Sequence, residues 1–438
     1  MSVARGVFGI LVLLAILWAL SLDRRRVSWR LVCGGLFLQL VIGAAFFTTD
    51  TTARLMQPVA QLFVDITDFS NAGARMVFGK LVDLPTTGRL FGSEDAFIFA
   101  FQVLPTIIFF SALTSVCYYL GVLQGIVYAF AWVMKRVMRL SGAESLAAAG
   151  EVFLGQTESA LLVKPYIGRM TRSEVATMMI GGMATIAGGV MSAYIAKLGG
   201  DSDAEKLRYA QYLLCASIMS APAAIVVAKI LVPEKDTIDE NLRVPREDAG
   251  ANVFDALANG TTQGLTLALN VGAMLIAFVA MAALVNGLLG WVGHVPVGGG
   301  ASLNGWIKAT SGGVFDGLSL QSIFGTVMAP FAWLIGVDGG DVLRGGQLLG
   351  TKLALNEFVA YDSMAAMKAA GTLGERSIYL LTFALCGFAN IGSIGIQLGG
   401  IGGLAPAQRA TLAALGLRAL LGGTVATLMT ACIAGMFR

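Results

Sequence analysis

The sequence predicts an all-α polytopic membrane protein, with eight transmembrane helices and two re-entrant hairpins arranged in an inverted repeat. Three observations predict it. Of 438 residues, 56% are hydrophobic and only 13% charged, about half the usual charged share, and mean hydropathy is +0.76. Long uncharged runs recur along the whole chain. Two short motifs also reappear in the same order about two hundred residues apart. Thirty basic and 27 acidic residues cannot coat a globule of this size, which excludes a cytosolic enzyme and a disordered chain alike.

A spanning helix needs about 20 largely apolar residues. Suitable runs cover 6–22, 31–49, 96–134, 175–196, 209–228, 256–307, 317–337, 377–408 and 410–437, the last broken only by Arg418. The 96–134 run is too long for one span, so part of it should lie along the membrane surface. The first run is expected to be a transmembrane helix rather than a signal peptide, because its basic cluster (Arg24, Arg25, Arg26) follows the apolar stretch and no small-residue cleavage site intervenes.

Basic residues then orient the spans. With Arg24, Arg25, Arg26 and Arg30 inside, the N-terminus is outside, and 50–92 forms an outer surface helix. The third span returns near Lys135, Arg136 and Arg139, a second basic cluster. The polar connector 234–248, carrying Pro245, should be cytoplasmic. Eight crossings place both termini on the periplasmic side of a bacterial inner membrane. The expected division is 1–122 scaffold helices with a surface helix, 123–231 repeat 1, 232–310 cytoplasmic loop and long scaffold helix, and 311–438 repeat 2. Each repeat comprises an interfacial helix, a hairpin and two spans.

The repeat rests on two matches. Phe130-Ala131-Trp132-Val133-Met134 recurs as Phe331-Ala332-Trp333-Leu334-Ile335, and Gly182–Gly188 recurs as Gly387–Ser393. Between them lie two polar-centred segments, Gly155-Gln156-Thr157-Glu158 and Leu355-Asn356-Glu357-Phe358. One copy follows a span ending inside, the other a span ending outside. Such inverted repeats are common among secondary transporters, which bind substrate near the midplane between interrupted helices.

A carboxylate at the bilayer centre costs about 2.5–3.5 kcal/mol on insertion scales and usually faces a cavity. Glu151, Glu158 and Glu357 lie in apolar stretches too short to span twice, as expected of re-entrant hairpins. A purely structural alternative pairs them with Lys164 or Lys352. Thr185, Asn390 and Ser393 sit beside glycines that should interrupt their helices, and freed carbonyls with hydroxyls and an amide suit a polar, uncharged ligand or a cation. Most of the 55 glycines are better read as close helix packing.

Other chemistries fail on inspection. Net charge of +3 gives no reason to expect a nucleic-acid partner. Cys33, Cys117, Cys215, Cys386 and Cys432 lack metal-like spacing, and His294 is the sole histidine. Gly345–Lys352 lacks the Gly-Lys-Ser/Thr ending of a phosphate loop, and no HExxH or GxGD motif occurs. No enzyme and no cofactor is expected.

Together, Gly155-Gln156-Thr157-Glu158-Ser159 with Val163-Lys164-Pro165-Tyr166, Leu355–Tyr361, Gly387–Ile394 and Met219-Ser220-Ala221-Pro222 resemble the signatures of the concentrative nucleoside transporters. The resemblance runs from about Leu31 to the C-terminus. It implies a homotrimer in which a transport domain carrying both hairpins moves like an elevator against a trimerisation scaffold. It also implies that Gln156, Thr157 and Glu158 read the nucleobase, that Glu357, Asn390 and Ser393 hold the ribose hydroxyls, and that Phe388 and Val190 supply apolar contact. Amide, hydroxyl and carboxylate groups match the mixed donors and acceptors of a base edge. Asn356 is expected to stabilise the second hairpin tip.

One position departs from the family pattern. Sodium-coupled members use an Asn four residues before the motif glycine, backbone carbonyls, and a hydroxyl on the fourth helix. The matching positions are Glu151, Leu154, Thr185 and Ile186, so Glu151 replaces a neutral Asn. A carboxylate withdrawn from water favours its protonated form, which makes H+ the expected coupling ion, with Na+ at these four positions the alternative. The sequence reading is a nucleoside importer favouring uridine-like pyrimidines, with a passive channel or facilitator as the rival.

Overall fold

A computed structural model describes residues 2–48, 50–92, 98–200, 202–239, 250–297 and 301–438. Helices α1 (Ser2–Ala19) and α2 (Trp29–Thr48) are joined through a tight turn at Arg24–Arg26, and α3 (Asp50–Phe78) follows. Two short helices, α4 (Leu84–Phe91) and α5 (Phe99–Gln102), lead to α6 (Leu104–Tyr119) and α7 (Val122–Met138). Gly121, at φ 80°, turns the chain between α6 and α7, which is why the long 96–134 run divides there. Its start at Ala96 lies outside the described residues. Helix α7 buries Leu123, Val127, Ala131, Met134 and Met138, a stripe at three- and four-residue spacing, and exposes Tyr128, Trp132, Val133 and Val137. It is amphipathic, as a surface-lying helix requires.

Hairpin 1 comprises α8 (Gly142–Gly150), a tip, and a return arm of α9 (Glu158–Leu162) and α10 (Lys164–Ile167). A broken helix follows, α11 (Arg172–Ala184) then α12 (Gly188–Gly199), and after it α13 (Asp203–Leu231) and the 40-residue α14 (Val253–Val292). Next come α15 (Leu303–Thr310) and α16 (Leu320–Ile335), then hairpin 2 as α17 (Val342–Ala354) and α18 (Glu357–Ala369). A second broken helix, α19 (Glu375–Leu385) and α20 (Ile391–Leu404), precedes α21 (Arg409–Met436). Among the described residues no β-strand forms; Pro296 and Ser302 pair in an isolated bridge.

The protein is an all-α, multi-pass membrane protein. Among the described residues, six helical segments are long and apolar enough to cross a bilayer: Trp29–Thr48, Phe99–Tyr119, Arg172–Gly199, Asp203–Leu231, Val253–Val292 and Pro406–Met436. The other two of the eight expected spans are shorter for identifiable reasons. The first is the apolar stretch Val3–Ala19, and the 377–408 run is divided by a helix break that leaves Ile391–Leu404. The connector expected at 234–248 is described only as far as Asp239; the remainder, with Pro245, lies outside the described residues.

Contacts at the two ends of the molecule display the inversion. At one end Leu22 N–H donates to Leu231 O at 3.0 Å, Lys235 pairs with Asp23 at 3.0 Å, and Gly142 N–H donates to Asp239 O at 2.9 Å. At the other, Arg5 donates to Trp333 O at 3.0 Å and Val337 O at 3.1 Å, and Arg376 donates to Arg438 O at 2.6 Å. Hairpin 1 therefore starts where α1 finishes, and hairpin 2 where α1 begins. Each return arm is tied to a helix turn of its own end. Gln408 donates to Ile167 O at 3.1 Å and Met170 O at 2.9 Å, and Lys368 donates to Leu198 O at 3.1 Å and Glu205 at 3.0 Å.

Candidate functional site

The two broken helices meet at their breaks. Helix α11 stops at Ala184 and α12 resumes at Gly188, while α19 stops at Leu385 and α20 resumes at Ile391. Gly387 lies between α19 and α20 at φ 131°, and a Cβ there would collide with the carbonyl oxygens of Ala184 and Met183. Only glycine permits both this conformation and this approach. Thr185 ends α11, its hydroxyl donating to Gly181 O at 2.9 Å, and Asn390 caps α20 by accepting from Ser393 N–H at 2.9 Å. The crossing thus concentrates helix termini, with their unpaired backbone groups, in an otherwise apolar interior.

Each hairpin tip rests on the repeat opposite its own. Gln156, at the tip of hairpin 1, donates to Ser393 Oγ at 3.4 Å, and its Oε1 is buried without a hydrogen-bond partner. Thr157 packs against Gly400 of α20 and donates to Glu158 Oε2 at 3.4 Å. At hairpin 2, Asn356 caps α18 by accepting from Val359 N–H at 2.9 Å. Glu357 is buried and accepts from Tyr194 Oη of α12 at 2.8 Å and from Asn390 Nδ2 at 3.1 Å. These bonds connect Gln156 with Ser393, and Glu357 with Asn390. Phe388 is half-buried in the second break.

A cavity of about 500 Å³ opens beside hairpin 1, between its tip, the start of α12, and α6 and α14. Leu154, Gly155, Glu158 and Val190 line it, opposite Phe110 and Gln263. Its size falls within the range of about 300–1,000 Å³ usual for small-molecule sites. Glu357, Asn390 and Ser393 do not line it, so the expected substrate residues divide between this cavity and the buried polar cluster at the helix breaks.

The four expected ion residues occupy the root of the same region. Glu151 is 0% exposed, packs directly against Gly181, and makes no hydrogen bond of good geometry through either carboxylate oxygen, the Ser159 hydroxyl and the Gly182 N–H being its neighbouring donors. Gly181 is also the residue whose carbonyl accepts from Thr185, which places Glu151 one helical turn from that hydroxyl. Leu154, Thr185 and Ile186 are buried. The lysine pairing considered as a structural role is not formed. Lys352 donates to Ala384 O at 3.0 Å and Thr427 Oγ1 at 3.2 Å, and Lys164 lines the cavity without an ion pair to any of the three acids.

Family models described as Na+ dependent nucleoside transporter C-terminus and N-terminus match residues 212–435 and 8–81, and one described as nucleoside recognition matches 100–201. An uncharacterized transporter of Haemophilus influenzae is 41% identical over 100% of this chain and 98% of its own. The chain belongs to the concentrative nucleoside transporter family. Sodium/nucleoside cotransporter 1 of Mus musculus is 37% identical over 98% of this chain, which spans 63% of that longer protein. CNTnw in an inward-facing substrate-bound state superposes with a TM-score of 0.88 at 36% identity, covering 100% of this chain and 98% of that one. A CNTnw variant in an outward-facing state gives 0.87 at 36% identity, with the same coverage. The protein is a nucleoside–cation symporter and not an enzyme.

Two polar residues of this transporter escaped sequence reasoning. Tyr194 is fully buried and holds Glu357, yet in the sequence it is one aromatic among apolar neighbours. Gln397 is fully buried, donates to Met179 O at 2.9 Å, and has an unpartnered Oε1. A lone amide within the glycine-rich stretch 391–404 was the available signal.

Proposed function

We propose that the transporter imports nucleosides, uridine-like pyrimidine nucleosides above all, in symport with a proton carried by Glu151. Glu151 itself carries the reading. A fully buried carboxylate with no opposite charge beside it and no well-formed hydrogen bond is costly as an anion, and a proton or a bound cation relieves that cost. Either ion moving down about 100 mV supplies about 2.3 kcal/mol per charge. Gln156, Thr157 and Glu158 would read the base, Glu357, Asn390 and Ser393 the ribose, and Val190 and Phe388 would supply apolar contact. The unpartnered Oε1 of Gln156 supports this assignment, because a substrate donor would satisfy it.

Sodium is the second reading, favoured by the Thr185 hydroxyl one turn from Glu151 and by the carbonyl-bearing positions Leu154 and Ile186. We further propose a homotrimer in the bacterial inner membrane, with both termini periplasmic and the segments 123–231 and 311–438 supplying the moving, elevator-like domain. Purified protein in liposomes tests the reading. Uridine should accumulate against its gradient under an imposed proton gradient and not under a sodium gradient alone. Sodium-only accumulation selects the second reading, and equilibration under both selects a facilitator. A panel of purine and pyrimidine nucleosides in the same assay tests the substrate preference.

A further inference from the structure

A second cavity, of about 220 Å³, opens where the α1–α2 turn, the end of α7 and the base of hairpin 1 meet. Arg26, Arg30, Arg139 and Lys229 line it together with Glu144 and Glu234. Both acids are already engaged, Glu144 through one oxygen only, its Oε2 being buried without a hydrogen-bond partner. Lys229 lies 2.7 Å from Glu144 and 3.4 Å from Glu234. Thr177 donates to Glu144 at 2.6 Å and Thr171 to Glu234 at 2.8 Å. Arg26 lies 3.8 Å from Asp23. Among the described residues, Arg30 and Arg139 are left with no acidic partner.

Arg139 occupies an uncommon backbone conformation for its residue type. It ends α7 at φ 55°, ψ 59°, its N–H donating to Lys135 O at 2.8 Å, and it is the sole non-glycine residue at positive φ among those described. Left-handed residues commonly end helices, although the position usually goes to glycine or asparagine, so an arginine there is uncommon. Ser28 adds a hydroxyl to the rim.

We propose that this pocket binds a phosphate group, and that its source is the headgroup of an anionic phospholipid. Guanidinium forks match phosphate oxygens in paired hydrogen bonds, and Arg30 and Arg139, without an acidic partner among the described residues, line one small cavity. The surroundings favour lipid over free phosphate. Trp29, Trp132, Val133 and Val137 stand 40–54% exposed on the adjoining faces of α2 and α7, an apolar surface along which acyl chains can lie. Basic pockets between transmembrane helices on the cytoplasmic side suit anionic headgroups; the cytoplasmic placement rests on the proposed orientation, whereas binding does not. A headgroup here would join Arg30 of α2 to the α7–α8 junction, beside the first turn of hairpin 1.

The test is native mass spectrometry of the full-length protein with phosphatidylglycerol and phosphatidylcholine supplied together. Wild type should retain phosphatidylglycerol about tenfold better. Arg30→Gln/Arg139→Asn should lose that preference, Asn being tolerant of left-handed backbone, and Arg25→Gln, which lies outside the lining, should keep it. Arg30→Gln alone, with its melting temperature recorded, provides a reading should the double variant misfold. Equal retention in the double variant, or equal loss in Arg25→Gln, overturns the pocket in favour of diffuse surface charge. Saturable binding of inorganic phosphate without a phosphatidylglycerol preference overturns the lipid source.

Discussion

The Tyr194 hydroxyl donates to Glu357 Oε1 at 2.8 Å, so a helix of the first repeat aims the hairpin acid of the second. The Tyr194 ring is fixed independently, 4.6 Å from that of Tyr361. Tyr194→Phe therefore removes the donor and keeps the packing. Hydrogen bonds to charged groups contribute about 1.5–3 kcal/mol to stability, so the melting temperature should fall modestly, and with Glu357 no longer aimed KM for uridine should rise on the order of tenfold. Concentration-dependent uptake in liposomes checks it, and an unchanged KM would remove Glu357 from the proposed ribose contacts.

Gly387 offers a test of the crossing itself. Gly387→Ala places a methyl against the Ala184 carbonyl and strains a φ of 131°, a conformation costing about 1–3 kcal/mol for other residues. Uptake should be lost and the apparent melting temperature should fall. A variant with wild-type uptake would mean the breaks do not need this contact.

Glu151→Asn restores the neutral amide expected of sodium-coupled relatives. Accumulation driven by a proton gradient should disappear, and a sodium gradient should begin to drive uptake through the amide, the Thr185 hydroxyl and nearby carbonyls. Full proton-driven accumulation by this variant would exclude Glu151 as the proton carrier.

The base of hairpin 1 makes a separate prediction. Lys229→Met would leave Glu144, 0% exposed, as a buried charge without its partner 2.7 Å away, at a cost of about 3–5 kcal/mol. The double variant Lys229→Met/Glu144→Gln should regain most of the lost melting temperature. Equal melting of the single and double variants would show that the pair does not anchor the hairpin.

Much of the architecture was legible because charge is scarce. Long uncharged runs marked the spans, and motifs such as Phe130–Met134 disclosed the repeat. Acids in apolar stretches marked both hairpins. What sequence could not supply was partnership across the repeats. Gln156 meets Ser393 at a separation of 237 residues, and nothing in either segment's composition specifies the other. Tyr194 and Gln397 are single polar side chains in apolar runs, and their chemistry becomes visible only once Glu357 and Met179 stand beside them. The structural alternative that paired Lys352 with the hairpin acids is not formed for the same reason: α19 ends within reach of Lys352 and offers it the Ala384 carbonyl.

The Gln408 amide that closes the return arm of hairpin 1 bears on biogenesis. It satisfies Ile167 O and Met170 O from the turn before the last helix. At about 5–20 residues per second, the ribosome reaches that turn roughly 10–50 s after finishing the hairpin. Ile167 O also accepts locally from Met170 N–H at 3.2 Å, so through that interval the nascent hairpin lacks chiefly the partner of Met170 O. Translation order and completion order therefore run in opposite directions for this element, and truncation shortly before residue 408 should yield an inserted chain whose first hairpin stays open to protease.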